Sequence, residues 1–318
     1  MYPLKLKPPL KHYLWGGNKL KTQFNIKTEE ETVSESWELS CHKDGESIIE
    51  NGRYSGKTLS EYVKAAGTDV LGTNCKDKSN LPVLIKLIDA WDNLSLQVHP
   101  DDEYAYKNEG EPGKTEMWYI IDCEEDAEII YGFKNKITKT EFESSIENNT
   151  IMNVINKVKV KKGDVFFIKS GTLHAIGKGI ILAEIQQNSN ATYRVYDYGR
   201  VDSSGKQRSL NIEKAIAVTD LSPSKSYPTE QLRQYTGYKK RLLASCEYFN
   251  TYLYSVDTSC EIVADSKSFN SIVVFEGNPV INYNEGTLPL KKGNSVFVPA
   301  SFGKYKISGQ CEFIFTIK

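Results

Sequence analysis

A chain of 318 residues, 39% hydrophobic and 25% charged, is long enough to bury a sizeable core, and 40 Lys+Arg against 41 Asp+Glu leave a net charge of -1. That balance argues against nucleic acid as a partner, and no stretch approaches the roughly 20 apolar residues of a membrane span. With no uninterrupted apolar run after Met1 the expected location is the cytoplasm, and the six scattered cysteines, none in close pairs, are read as free thiols.

Taken in chain order, short runs of β-branched and aromatic residues punctuated by glycine and asparagine predict a mainly β protein with a few helical insertions. A helix is expected over 58–66, where Leu59, Tyr62 and Val63 have helical spacing. Lys86 then interrupts the apolar run 83–88 and needs an anionic partner or a polar cavity, unless it snorkels from a strand edge. Strands follow at 94–98 and 117–121, a helix at 140–148, strands at 164–168 and 180–186, and a helix at 211–218. Each helix is led by Ser, Thr or Asn suited to a cap. A cluster of two prolines and three serines over 220–228 reads as a linker, and strands resume at 252–256, 271–275 and 295–298.

The segment 161–174 aligns without gaps on 291–304, with four of fourteen positions identical. Gly163, Gly171 and His174 keep the spacing of the second motif of cupins, which are double-sheet jelly rolls, with Lys169 where proline is usual. Gly293 and Pro299 keep it in the later copy, but Lys304 stands at the histidine position. The resemblance implies two cupin-like jelly-roll barrels, of which only the first holds a metal. The expected division is 1–220 for the metal-binding domain with helical insertions, 221–238 for the linker and 239–318 for the second cupin-like domain.

Histidine occurs four times, at positions 12, 42, 99 and 174. In the alternating segment 94–102, Gln97 and His99 are two apart and project from one face of a strand. Glu116 opens the next strand and His174 follows Gly171. Taken singly, each has an ordinary structural reading; together, two imidazoles, a carboxylate and an amide oxygen with one open position suit a catalytic zinc ion.

Four segments carry a more specific resemblance: Trp15-Gly16-Gly17, Glu35-Ser36-Trp37-Glu38, the run from Leu94 through Gln97-Val98-His99-Pro100 to Asp101, and Lys114-Thr115-Glu116-Met117. With a fifth from Glu184 to Arg194, they resemble type I mannose-6-phosphate isomerases in their shorter bacterial form. Cys41 and His42 occupy the neighbourhood where some members carry a histidine. The resemblance implies one Zn²⁺ per chain on Gln97, His99, Glu116 and His174, and a small sugar phosphate as substrate. It also implies isomerisation of mannose 6-phosphate and fructose 6-phosphate.

Such chemistry needs a base and a cation near the substrate oxygens. Leu182, Glu184 and Gln186 share a strand face, which makes Glu184 the candidate base, the alternative being a structural ion pair. Arg194 offers a permanently charged planar fork, and the resemblance makes it catalytic rather than a surface arginine. Lys114 shares the side of Glu116 and suits ring opening or hydroxyl binding. Lys86, Ser95 and Trp15 are assigned to substrate binding, although a tryptophan also reads as core. An iron-dependent dioxygenase and a non-catalytic sugar-binding cupin are the rival readings. No signal fixes the oligomeric state.

Overall fold

The structure is a computed structural model that describes residues 1–75, 81–201, 205–228 and 230–318, so position 229 of the expected linker lies outside the described residues. Strands dominate, with short helices between them. The chain divides into two compact units, Met1–Lys11 with Lys19–Leu87 and Pro228–Lys318, and His12–Asn18 with Ile88–Tyr227. The expected second domain, 239–318, falls wholly inside the first unit, which also takes in N-terminal segments. The reason is a long-range pairing: Leu4–Lys7 lies antiparallel to Ser295–Val298, so the first residues belong to the same sheet as the last. Such non-local registers leave no trace in local composition.

In the first unit, an eight-stranded sheet runs from Arg233–Tyr235 at one edge to Ile48–Ile49 at the other. A four-stranded sheet contains Ser259–Ala264, Gly303–Ser308, Val280–Tyr283 and Gly286–Pro289. Alternate residues of both meet in one core: Tyr254, Ile272, Val274, Phe313 and Phe315 from the first, Ile262, Ile281 and Ile307 from the second. Period-two patterning thus builds a two-sheet sandwich here. Lys304, on the second sheet, is exposed and pairs with Val263.

The second unit has its own two sheets. One has five strands in the order Ile155–Lys159, Glu128–Phe133, His174–Ile176, Leu96–Val98, Tyr193–Tyr196. The other joins Val165–Ile168, Glu116–Cys123, Ile180–Gln187 and the end of Val83–Ala90. Trp118, Ile120, Ile129, Ile176 and Leu182 fill the core between them, and Trp15 belongs to the same cluster. The opposite face of the five-stranded sheet is covered by helices Lys139–Glu147 and Ile212–Val218 through Leu96, Val98, Ala175, Tyr193, Val195, Phe142 and Ala215. With Leu96 and Val98 committed to the helices, Gln97 must face the interior; the same alternation turns His174 and Arg194 inward.

The helix Leu59–Ala66 begins at Thr58 with a capping box to Glu61, a device worth about 1 kcal/mol. The second expected helix has its cap two residues earlier, because Thr138, not Thr140, closes the capping box with Glu141. Asn211 precedes the third helix without capping it; its side chain accepts instead from the backbone N–H of Arg194. Two further helices, Lys19–Phe24 and Asp102–Asn108, went unforeseen. Gly17 explains its own motif: a Cβ there would lie 2.5 Å from the carboxylate of buried Asp89.

Candidate metal centre

Cross-strand register assembles the site. Gln97 lies on a strand between two neighbours and is directly opposite His174 on one side and Arg194 on the other. On the facing sheet Glu116 is opposite Gln186, and Trp118 is opposite Glu184. His99 follows Gln97 by two residues and is buried with the rest. The ligating atoms of His99, Glu116 and His174 all lie within 4.8 Å of one another, the one such cluster among the described residues. The amide nitrogen of Gln97 is 3.4 Å from His174 Nε2, which brings the fourth expected residue to the same point.

Hydrogen bonding on the far side of each ring fits this cluster to a metal ion. His99 Nδ1 lies 2.8 Å from the carbonyl of Ala191, and His174 Nδ1 lies 2.8 Å from that of Thr172. A carbonyl only accepts, so each Nδ1 carries the hydrogen and each Nε2 presents its lone pair. Nε2 of both rings is 3.5 Å from a Glu116 oxygen. Burial pushes the His174 imidazole down to about 4, so the ring is held in its neutral, ligating form. Two neutral imidazoles, one carboxylate and a neighbouring amide fit a divalent ion of borderline softness.

The other predicted site residues fall into two groups. Lys114 donates to Glu116, lies 3.2 Å from His99 Nε2 and 3.5 Å from Glu184 Oε1. Glu184 in turn accepts from Trp118 Nε1 at 3.0 Å. Arg194 donates through Nε to Ser95 Oγ at 3.1 Å and through its terminal nitrogen to the Ser209 carbonyl at 3.0 Å. Ser95, Lys114, Glu184 and Arg194 thus stand in the same unit as the four ligand residues. Trp15 is there too, packed into the apolar core. Lys86 belongs to the first unit, where its ammonium is 3.6 Å from Glu35 and 5.1 Å from the centre of the Trp37 ring. That supplies the anionic partner its buried position requires.

A charged cluster that sequence reasoning missed lies beside Arg194. Asp197, almost fully buried, accepts from Arg200 at 2.6 Å and from both Nε and a terminal nitrogen of Arg208 at 2.8 and 2.5 Å. Burial opposes its ionisation, yet the bonds from Arg208 and Arg200 hold its carboxyl below the usual range. Burial first, and then the nearby Arg208, lower the Arg194 guanidinium from its ordinary value. The signal available in sequence was an acid between two arginines within seven residues.

Two histidines and a glutamate that converge between the sheets of a mainly β unit form a group that could hold a metal ion, the arrangement of metal-binding cupins. The profile for the cupin domain of mannose-6-phosphate isomerase matches residues 239–318, and that for the catalytic domain of type I phosphomannose isomerase matches residues 3–143. The mannose-6-phosphate isomerase ManA of Bacillus subtilis is 41% identical over 313 residues, spanning 98% of each chain. The mannose-6-phosphate isomerase of Streptococcus mutans is 37% identical over 98% of this chain and 97% of its own. A crystal structure of the Bacillus subtilis mannose 6-phosphate isomerase superposes with a TM-score of 0.93 at 39% identity, covering 99% of both chains. The chain belongs to the type I phosphomannose isomerase family.

Proposed function

We propose that this protein is a zinc-dependent aldose-ketose isomerase that interconverts mannose 6-phosphate and fructose 6-phosphate through an enediolate. The observation that carries the reading is the convergence of the three ligating atoms, within 4.8 Å of one another, beside the Glu184–Lys114 pair and next to Gln97, which stands opposite Arg194. Gln97, His99, Glu116 and His174 would hold one ion per chain. An ion held there would supply Lewis acidity toward substrate oxygens.

Glu184 is the base: it removes the proton from the carbon next to the carbonyl and returns it to the neighbouring carbon. The Trp118 N–H on Oε2 and the Lys114 ammonium near Oε1 fix the orientation of its carboxylate. Lys114 also serves as the proton source for ring opening. Arg194, across the ladder from Gln97 and anchored on Ser95, stabilises the oxyanion that develops as the enediolate forms. Three guanidinium groups against two carboxylates, Asp197 and the Asp92 that lies 3.4 Å from Arg200, leave an excess of one positive charge that favours a phosphate.

A coupled assay with mannose 6-phosphate, in which fructose 6-phosphate formation is followed with and without added zinc, tests the reading. Metal-dependent turnover supports it; a pure, zinc-loaded chain without turnover would overturn it.

A further inference from the structure

Between Glu184 and Arg194 the chain turns a corner, leaving one sheet of the second unit after Gln187 and entering the other at Tyr193. Gln186 sits just before it, fully buried, opposite Glu116 and on the same strand face as Glu184. Its Nε2 donates to two backbone carbonyls of the corner, Gln187 at 2.9 Å and Ser189 at 2.5 Å. Because both acceptors are carbonyls, the amide cannot be turned over without setting oxygen against oxygen. Its Oε1 has no hydrogen-bond donor among the described residues. Glutamine is therefore kept at this buried position with one end orphaned, and only the bonds of its other end offset that.

The corner leads straight to a metal ligand. The Ser189 side-chain oxygen accepts from the backbone N–H of Ala191 at 3.1 Å, and the Ala191 carbonyl accepts from His99 Nδ1 at 2.8 Å. We propose that Gln186 is a positioning residue of the metal centre. Through Ser189 and Ala191 it places the carbonyl that selects the Nδ1–H tautomer of His99 and aims Nε2 at the ion. The same corner sets the spacing of Glu184 and Arg194, a consequence that rests on the isomerase reading; the effect on His99 does not.

Gln186→Met keeps the length and volume of the side chain but removes both donors. Its zinc affinity, measured on the full chain by chelator competition, is expected to fall about tenfold or more, the usual effect of losing an outer partner of a metal-ligating histidine. In metal-free protein, the ¹⁵N shifts of His99 are expected to move from the Nδ1–H tautomer toward a mixture, a change that loss of global stability alone does not cause. Wild-type zinc affinity together with an unchanged His99 tautomer would overturn the proposal, whatever happens to turnover.

Ser189→Ala provides the second variant should Gln186→Met fail to fold. It cuts the link to the Ala191 N–H while leaving the Ser189 carbonyl, and it too is expected to weaken zinc binding. Wild-type affinity in Ser189→Ala refutes the route through the corner. In the double variant the two losses are expected to overlap; fully multiplicative losses would show that the residues act separately and overturn the proposal.

Discussion

Arg194 stands directly across the ladder from Gln97, and its guanidinium is tied to Ser95, two residues before Gln97 on the same segment. One segment therefore carries an expected metal ligand and also anchors the cation proposed for the enediolate. Arg194→Ala is expected to keep the metal content and to lower kcat by about 10²–10³-fold, the scale of losing a preorganised oxyanion partner. Metal analysis alongside steady-state kinetics checks both halves; unchanged kcat removes Arg194 from the mechanism.

Glu184 is held from both sides, by Trp118 on Oε2 and Lys114 near Oε1. Gln in its place retains the shape but not the basicity. Glu184→Gln is expected to reduce kcat by about 10²–10⁴-fold with zinc binding retained. Exchange of substrate carbon-bound hydrogen with deuterated solvent should disappear in parallel, and persistent exchange would point to a different base.

Lys114, Glu116 and Glu184 are all buried. Removing the cation leaves two buried carboxylates without its compensation, a change that typically costs about 3–5 kcal/mol. Lys114→Met is expected to destabilise the metal-free chain on that scale, with zinc restoring part of the loss through Glu116. Urea unfolding of both proteins, with chelator and with zinc, measures the difference.

Acid acts on His174 in a definite direction. Its pKa is lowered by burial from 6.5 to about 4, so the unfolded chain takes up a proton before the folded one does. The stability associated with a neutral His174 is present in full above pH 6.5 and is lost as the pH falls through about 4. Denaturant titrations of metal-free protein across this window are expected to show the decline, and replacing His174 with Asn should flatten it. Chelation should abolish turnover, and zinc should restore it at one equivalent per chain.

Glu38 gives the opposite sign. Burial raises it from 4.5 to about 7, against the opposing hydrogen bond that Ser36 Oγ donates to Oε1 at 2.6 Å, so the folded chain retains its proton longer. Its contribution is complete below pH 4.5 and has been lost once the pH has risen through about 7. Glu38→Gln, which is neutral throughout, is expected to raise the melting temperature relative to wild type above pH 7 and to leave little difference below pH 5.

The grouping of His99, Glu116 and His174 could be anticipated from strand alternation and, for His174, from the spacing of the Gly163–Gly171 motif. Gln97 and His99 are two apart on a strand, and Glu116 opens the next strand, where Lys114 bonds it as their shared side required. The helix at 58–66 was equally legible, since Thr58 and Glu61 are both local. The two-residue error in the cap at 140 arose because Thr138 and Thr140 both offer a hydroxyl, and the pairing with Glu141 decides between them. Asp102–Asn108 was hidden behind Pro100, where Asp101 caps a helix that the preceding strand pattern gave no reason to expect. Arg208 and Gln186 act through partners whose nearness is set by turns, and turn geometry is not written in residue type. The Leu4–Lys7 pairing to Ser295–Val298 spans nearly the whole chain and has no local signal at all.

That last pairing gives the protein a temporal asymmetry during synthesis. Leu4–Lys7 is synthesised long before Ser295–Val298, its partner on one side. The stretch that carries Gln97, His99, Glu116, His174, Glu184 and Arg194 lies wholly within 88–227 and leaves the ribosome before then. The unit that carries the proposed site can thus begin to organise while Leu4–Lys7 has only Ile48–Ile49 beside it. A chain cut short before Ser295 would leave Leu4–Lys7 with only Ile48–Ile49 beside it and the apolar strand Asn270–Gly277 with neither of its partners, and it is at that open strand that an interrupted translation product is most exposed to aggregation.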